Sequence, residues 1–98
     1  MMINQHIDGG MLKIMPVGRL DSITSDDFLA FTEQKFTKDF DKLIIDFTDV
    51  DYISSKGLRV ILLIYKQLNG RKMEIIGANA SVQEVFHLTG FSEVFGVK

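Results

Sequence analysis

Ile44-Ile45-Asp46-Phe47-Thr48-Asp49-Val50-Asp51-Tyr52-Ile53-Ser54-Ser55-Lys56-Gly57-Leu58 passes from an apolar run, through an acidic stretch, to the start of a helix. Lys42 to Phe47 is β-branched and apolar with charge at its flanks, the pattern of a central strand covered on both faces. Thr48 to Asp51 reads as a turn. From Lys56 to Leu68 the spacing becomes helical, and Asn69-Gly70 closes the helix. Leu58, Ile61, Leu62, Tyr65 and Leu68 fall on one stripe, which predicts the core side. Val60 and Leu63 then fall on the opposite side among Arg59, Lys66 and Gln67, a small apolar patch on a solvent face.

Toward the N-terminus, Ile3 to Asp8 and Met11 to Val17 flank Gly9-Gly10 and predict a hairpin, with Pro16 marking an edge or a bulge. Thr24 and Ser25 are N-cap candidates for a helix that carries Asp26 and Asp27 in its first turn. Phe28, Leu29, Thr32 and Phe36 line its predicted buried face. Toward the C-terminus, Met73 to Ile76 is a short apolar strand. Ser81-x-x-Glu84 has the form of a capping box, and Val82, Val85, Phe86 and Thr89 recur at helical spacing up to Gly90. Val94 to Val97 reads as a last strand. The predicted order is ββαβαβαβ, an α/β chain with a parallel or mixed sheet.

A chain of 98 residues suits one domain, 1–98, with a core that needs no staple. Cysteine is absent, which removes disulfides and thiolate chemistry and suits a reducing cytoplasm. The net charge is −2 and the eleven Lys and Arg are scattered, against the concentrated basic surface that nucleic-acid binding requires. Met1 to Gly10 is polar and lacks the cationic start and apolar run of a signal peptide, and the longest apolar run, Val60 to Tyr65, is far short of the ~20 residues of a membrane span. Soluble, cytoplasmic placement away from membranes is expected. His6 and His87 stand apart with no metal-ligand spacing around them. No nucleophile elbow and no phosphate-binding glycine loop occurs. Neither metal, cofactor nor intrinsic catalysis is expected.

Three segments together resemble the STAS domain family of the anti-sigma factor antagonist type. Gly18-Arg19-Leu20-Asp21-Ser22 is similar to the turn before the family's first helix. Ile44 to Leu58 is similar to its core signature, and Ile76 to Phe95 to its closing strand, helix and Leu-Thr-Gly-Phe ending. The resemblance implies a mixed sheet of four to five strands packed with about three to four helices. It implies a protein, monomeric or weakly dimeric, that binds an anti-sigma factor when dephosphorylated and thereby governs sigma-factor-dependent transcription. That partner would itself be a serine kinase. Phosphorylation would release it and a phosphatase would reset the switch. The acceptor maps to Ser55, with Ser54, where the family often carries aspartate, as the fallback. The alternative is a non-phosphorylated STAS adaptor, a subunit of a stressosome-like or lipid-transport assembly.

Local chemistry is compatible with either reading. Ser55 stands where a turn becomes a helix, so its hydroxyl would serve as a cap without any regulation. A phosphate of about −1.5 to −2 charge would also be tolerated at a helix N-terminus, with Lys56 and Arg59 near enough in sequence to pair with it. The predicted partner surface comprises Asp21, Ser22, Ser54, Ser55, Lys56, Gly57, Arg59, Val60 and Leu63. Asp21 is also a turn former, and Asp49 is nothing more than one.

Overall fold

A computed structural model describes residues 1–36 and 39–98. The chain runs β1 (Met2–Asp8), β2 (Met11–Leu20), α1 (Thr24–Lys35), β3 (Lys42–Asp46), β4 (Val50–Ile53), α2 (Ser55–Gln67), β5 (Lys72–Ile76) and α3 (Ala80–Leu88). The predicted hairpin forms: β1 and β2 pair antiparallel from Met2↔Val17 to Asp8↔Met11 around Gly9-Gly10. β3 joins β2 in parallel and β5 joins β3 in parallel, giving the order β1-β2-β3-β5. β4 pairs with the far end of β2, through Gly18↔Val50 to Leu20↔Ile53.

Strand β2 is therefore the organising element, and it is longer than its alternation predicts. Pro16 lies opposite Ile3 of β1, in the stretch 15–17 that pairs with neither β3 nor β4. A residue without an N–H is tolerated in that gap, so Pro16 sits inside a central strand rather than at a sheet edge. The register slips between Gly18 and Arg19, where Gly18 takes φ +104°, a bulge conformation that a side chain would strain. This slip hands β2 over from β3 to β4.

Three expectations about the elements are corrected. Val50 to Asp51 belongs to a strand, not to a turn; Asp51 and Tyr52 point outward, and four residues are too few to show a period. Lys42 to Phe47 is covered on one face only: Leu43, Ile45 and Phe47 are buried, whereas Ile44 and Asp46 are half-exposed. All three helices contribute to one cluster on the buried side, through Phe28, Ile61, Ile64, Val82 and Phe86. Val94 to Val97 shrinks to a single bridge, Ile75↔Val97. It follows a turn in which Phe91 stacks on Phe95 at 4.8 Å and Phe95 meets Phe86 edge-on at 6.0 Å.

The buried side of α2 is also rotated from the prediction. Gly57, Val60, Ile61, Ile64 and Leu68 are buried, Leu58 and Leu62 are half-buried, and Tyr65 is exposed. Val60 to Tyr65 is apolar on every side, so periodicity alone leaves the face undetermined. Gly57 decides it. A Cβ there would stand 2.8 Å from Ile53 Cγ1 and 3.0 Å from the Leu20 carbonyl, so only glycine lets this turn lie against β2 and β4. The helix caps differ too. Thr24 and Ser25 both lie within α1 and neither caps it; Ser25 is fully buried. Asn79, not Ser81, caps α3, its Oδ1 accepting from the Val82 N–H at 2.9 Å.

At the end of β3, Asp46 Oδ1 accepts from the Thr48 hydroxyl at 2.6 Å and the Thr48 N–H at 2.9 Å, and Lys13 Nζ stands 3.6 Å from Oδ2. Burial opposes its ionisation, but these bonds outweigh it and hold the carboxyl below its ordinary 3.8. Glu74 is lowered likewise, first by Lys42 and then by Lys98. A depressed folded pKa contributes stability that is present above the unfolded value and disappears as the pH falls through the folded one. Urea melts at stepped pH should show stability steady above about pH 5 and falling progressively below it. Asp46→Asn should flatten that acid limb.

Candidate functional site

Ser54 and Ser55 divide the two roles that the sequence left open for Ser55. Ser54 is the N-cap of α2: its Oγ accepts from the Gly57 N–H at 3.1 Å, and its own N–H donates to the Leu20 carbonyl at 2.8 Å. Ser55 is the first helical residue and is exposed. The cap therefore gives no reason for a hydroxyl at position 55. It does account for Ser54, because serine is among the best N-cap residues. Removing the cap by Ser54→Ala should lower stability by about 1 kcal/mol, read from the urea midpoint at unchanged slope.

Around Ser55 lies an open cavity of about 280 Å³ lined by Ser55, Lys56 and Arg59. The first turn of α2 contains no acidic residue. No carboxylate of that turn meets its positive end, and the charged side chains on the cavity wall are Lys56 and Arg59. Lys56 Nζ does not point freely into solvent. It donates to the Ser22 carbonyl at 2.8 Å and to Asp26 Oδ2 at 2.7 Å, tying α2 to the turn before α1 and to the first turn of α1.

The turn before α1 is built by Asp21. Its Oδ1 accepts from the Ile23 N–H at 2.9 Å and the Thr24 N–H at 3.0 Å, while the Thr24 hydroxyl accepts from the Asp21 N–H at 3.0 Å and donates to the Arg19 carbonyl. Asp21 thus does the capping work expected of Thr24 and Ser25. The Thr24 and Ile23 N–H groups, in that order, lower its pKa from 3.8. Arg19 lies over the Tyr52 ring at 4.3 Å, beside the same turn.

The predicted residues Asp21, Ser22, Ser54, Ser55, Lys56, Gly57 and Arg59 are therefore brought together by the ends of β2 and β4 and the start of α2. Val60 is not among them: it is 3% exposed and belongs to the core. Leu63 is 38% exposed, as expected, two turns beyond Ser55 on the stripe that includes Arg59. Sequence reasoning missed Ile23 and Asp26 as members of the site. The available signal was an aliphatic residue set inside an otherwise polar turn, Asp21-Ser22-Ile23-Thr24.

A mixed five-stranded sheet packed with three helices, and a serine at the start of α2, define the class. The chain belongs to the STAS domain family, whose model matches residues 2–98. It is 34% identical over 90 residues to BtrV of Bordetella bronchiseptica, named as an anti-sigma factor antagonist, covering 90% of this chain and 78% of that one. It is 30% identical over 95 residues to the anti-sigma-B factor antagonist of Listeria monocytogenes, covering 95% and 79%. In fold it is similar to the anti-sigma factor antagonist SpoIIAA, a Bacillus cell-fate determinant. The TM-score is 0.83 to the unphosphorylated form, at 16% identity over 99% of this chain and 86% of that one. To the phosphorylated form the TM-score is 0.76, at 15% identity over 99% and 89%. Among the described residues no helix is long and apolar enough to cross a membrane.

Proposed function

We propose that this chain acts as one cytoplasmic, non-catalytic domain that antagonises an anti-sigma factor, with Ser55 as the phosphorylation switch. Unphosphorylated, it binds an anti-sigma factor that is also a serine kinase, and so frees a sigma factor for transcription. The kinase then passes the γ-phosphoryl group of ATP to Ser55. A P–O bond forms to Ser55 Oγ as the bond to the departing ADP breaks, and a base on the kinase takes the hydroxyl proton. A phosphatase restores the hydroxyl by hydrolysis.

The observation that carries this reading is the division of labour between the adjacent serines. Ser54 is committed to the cap, and Ser55 is exposed beside Lys56 and Arg59 at a helix end that holds no acid. A phosphate there completes the helix end and leaves the fold intact. The names of the curated relatives, and the existence of SpoIIAA in both phosphorylation states, support the same assignment.

The test is co-expression with a histidine-kinase-fold anti-sigma factor from the same genome, followed by intact mass and peptide mapping. One phosphate on Ser55, with loss of co-purification, is expected. An unmodified chain that stays bound would instead mark a STAS adaptor, and modification at Ser54 would move the switch by one residue.

A further inference from the structure

Ile23 is 76% exposed, yet it is not on a loose loop. Asp21 Oδ1 holds its N–H at 2.9 Å, and Lys56 grips the residues on either side of it, through the Ser22 carbonyl and the Asp26 carboxylate. Turn geometry asks for polar or small residues here, so the fold gives no reason for a large aliphatic side chain. A rigidly presented apolar group in water is the form of a binding anchor, because little ordering remains to be done on association. The same lysine that steadies this loop lines the cavity at Ser55.

We propose that the segment from Asp21 to Asp26, a turn and the first turn of α1, is the second half of the partner surface, with Ile23 as its apolar anchor, and that Lys56 couples this segment to the state of Ser55. The proposal rests on the switch function given above. The partner surface it fits has an apolar hollow for Ile23 and carboxylates facing Lys56 and Arg59. A phosphate on Ser55 acts on both parts. Its charge of about −1.5 to −2 reverses the cationic character of the cavity. It also competes for Lys56, whose pairing with Asp26 is an exposed ion pair of the weak kind, whereas a phosphate forms the stronger charge-assisted bonds. Asp26 then loses its cationic partner, and the segment loses its outer tie.

The coupling is tested on the full chain with no partner present, with phosphoserine installed at position 55 during synthesis. Amide exchange over residues 21–26 should be at least threefold faster than in the unmodified chain, and Lys56→Gln should abolish the difference between the two forms. Equal exchange in both forms, or an undiminished difference in Lys56→Gln, overturns the proposal. The anchor is tested by Ile23→Asp in the unmodified chain, which should bind the anti-sigma factor at least tenfold more weakly with unchanged Tm. Wild-type affinity overturns it. Because the exchange measurement needs neither kinase nor partner, it is independent of the switch reading. If the phosphoserine chain binds the anti-sigma factor as tightly as the unmodified one, that reading alone fails.

Discussion

Ser55→Glu should weaken binding to the anti-sigma factor about a hundredfold, close to 2.7 kcal/mol, without lowering the stability of the fold. The two halves of this prediction have separate causes. Ser55 makes none of the capping bonds of α2, which belong to Ser54, so nothing structural is lost with its hydroxyl. A carboxylate at the first helical position also meets the positive end of a helix with no acid in its first turn. Such placement contributes about 0.3–1 kcal/mol, so Tm should hold or rise slightly.

Binding responds in the opposite direction. The cavity formed by Ser55, Lys56 and Arg59 presents cations to a docked surface. A new charge of the wrong sign there is either repelled or buried without a partner, at a cost of several kcal/mol when desolvated. Glutamate carries less charge than phosphoserine, so the variant should reproduce most of the effect but not all of it. Ser55→Ala is the control: it should bind as wild type and accept no phosphate. Titration calorimetry and thermal melts on the three proteins decide the matter, and a glutamate variant with wild-type affinity would refute it.

Phe86→Ala should cost about 3–5 kcal/mol, the range for deleting a fully buried aromatic ring. Phe86 has no exposed surface and joins two parts of the core. It meets Phe47 at the end of β3 with ring centroids 6.0 Å apart, and Phe95 edge-on, also at 6.0 Å. Phe95 in turn touches Tyr65 of α2 at 5.9 Å, so the ring network links α3, the C-terminal turn, β3 and α2. Truncating its central member leaves a cavity that the strands cannot close. A domain of this size has a total stability of only about 5–15 kcal/mol, and each kcal/mol is worth about 4–8 °C. The variant should therefore melt tens of degrees lower, with an unchanged urea slope if it remains two-state. Leu88→Ala, at the 75% exposed end of the same helix, should change stability by less than about 0.5 kcal/mol.

The hairpin around Gly9-Gly10, the apolar strand β3, the helix after Ser54 and the helix ending near Gly90 were legible because each carries its signal within a few neighbouring residues. Strand β4 was not. Val50-Asp51-Tyr52-Ile53 has no alternation, and its pairing exists only because the bulge at Gly18 turns the end of β2 toward it. The last strand failed for the reverse reason: Val94 to Val97 is apolar enough, but a turn stacked on Phe91 and Phe95 leaves room for one bridge. Both outcomes turn on which strand edge is available, and that is a property of the assembled sheet.

The residues around Ser55 show the same division at the scale of the site. Sequence alone determined that a serine pair, a small residue and two cations stand at a helix start, because chain neighbours stay neighbours in any fold. It also determined the family, since the motif from Ile44 to Leu58 is continuous. Only the tertiary structure decided which serine is the cap, which face of α2 is buried and what joins Ser55 from elsewhere. Gly57 had to press against Leu20 and Ile53 before Val60 could turn inward and leave Leu63 outside. Lys56 had to reach Ser22 and Asp26, some thirty positions away in the chain, before Ile23 could be seen beside the switch. Local chemistry sets what each residue is able to do, and long-range packing selects which of those capacities is used.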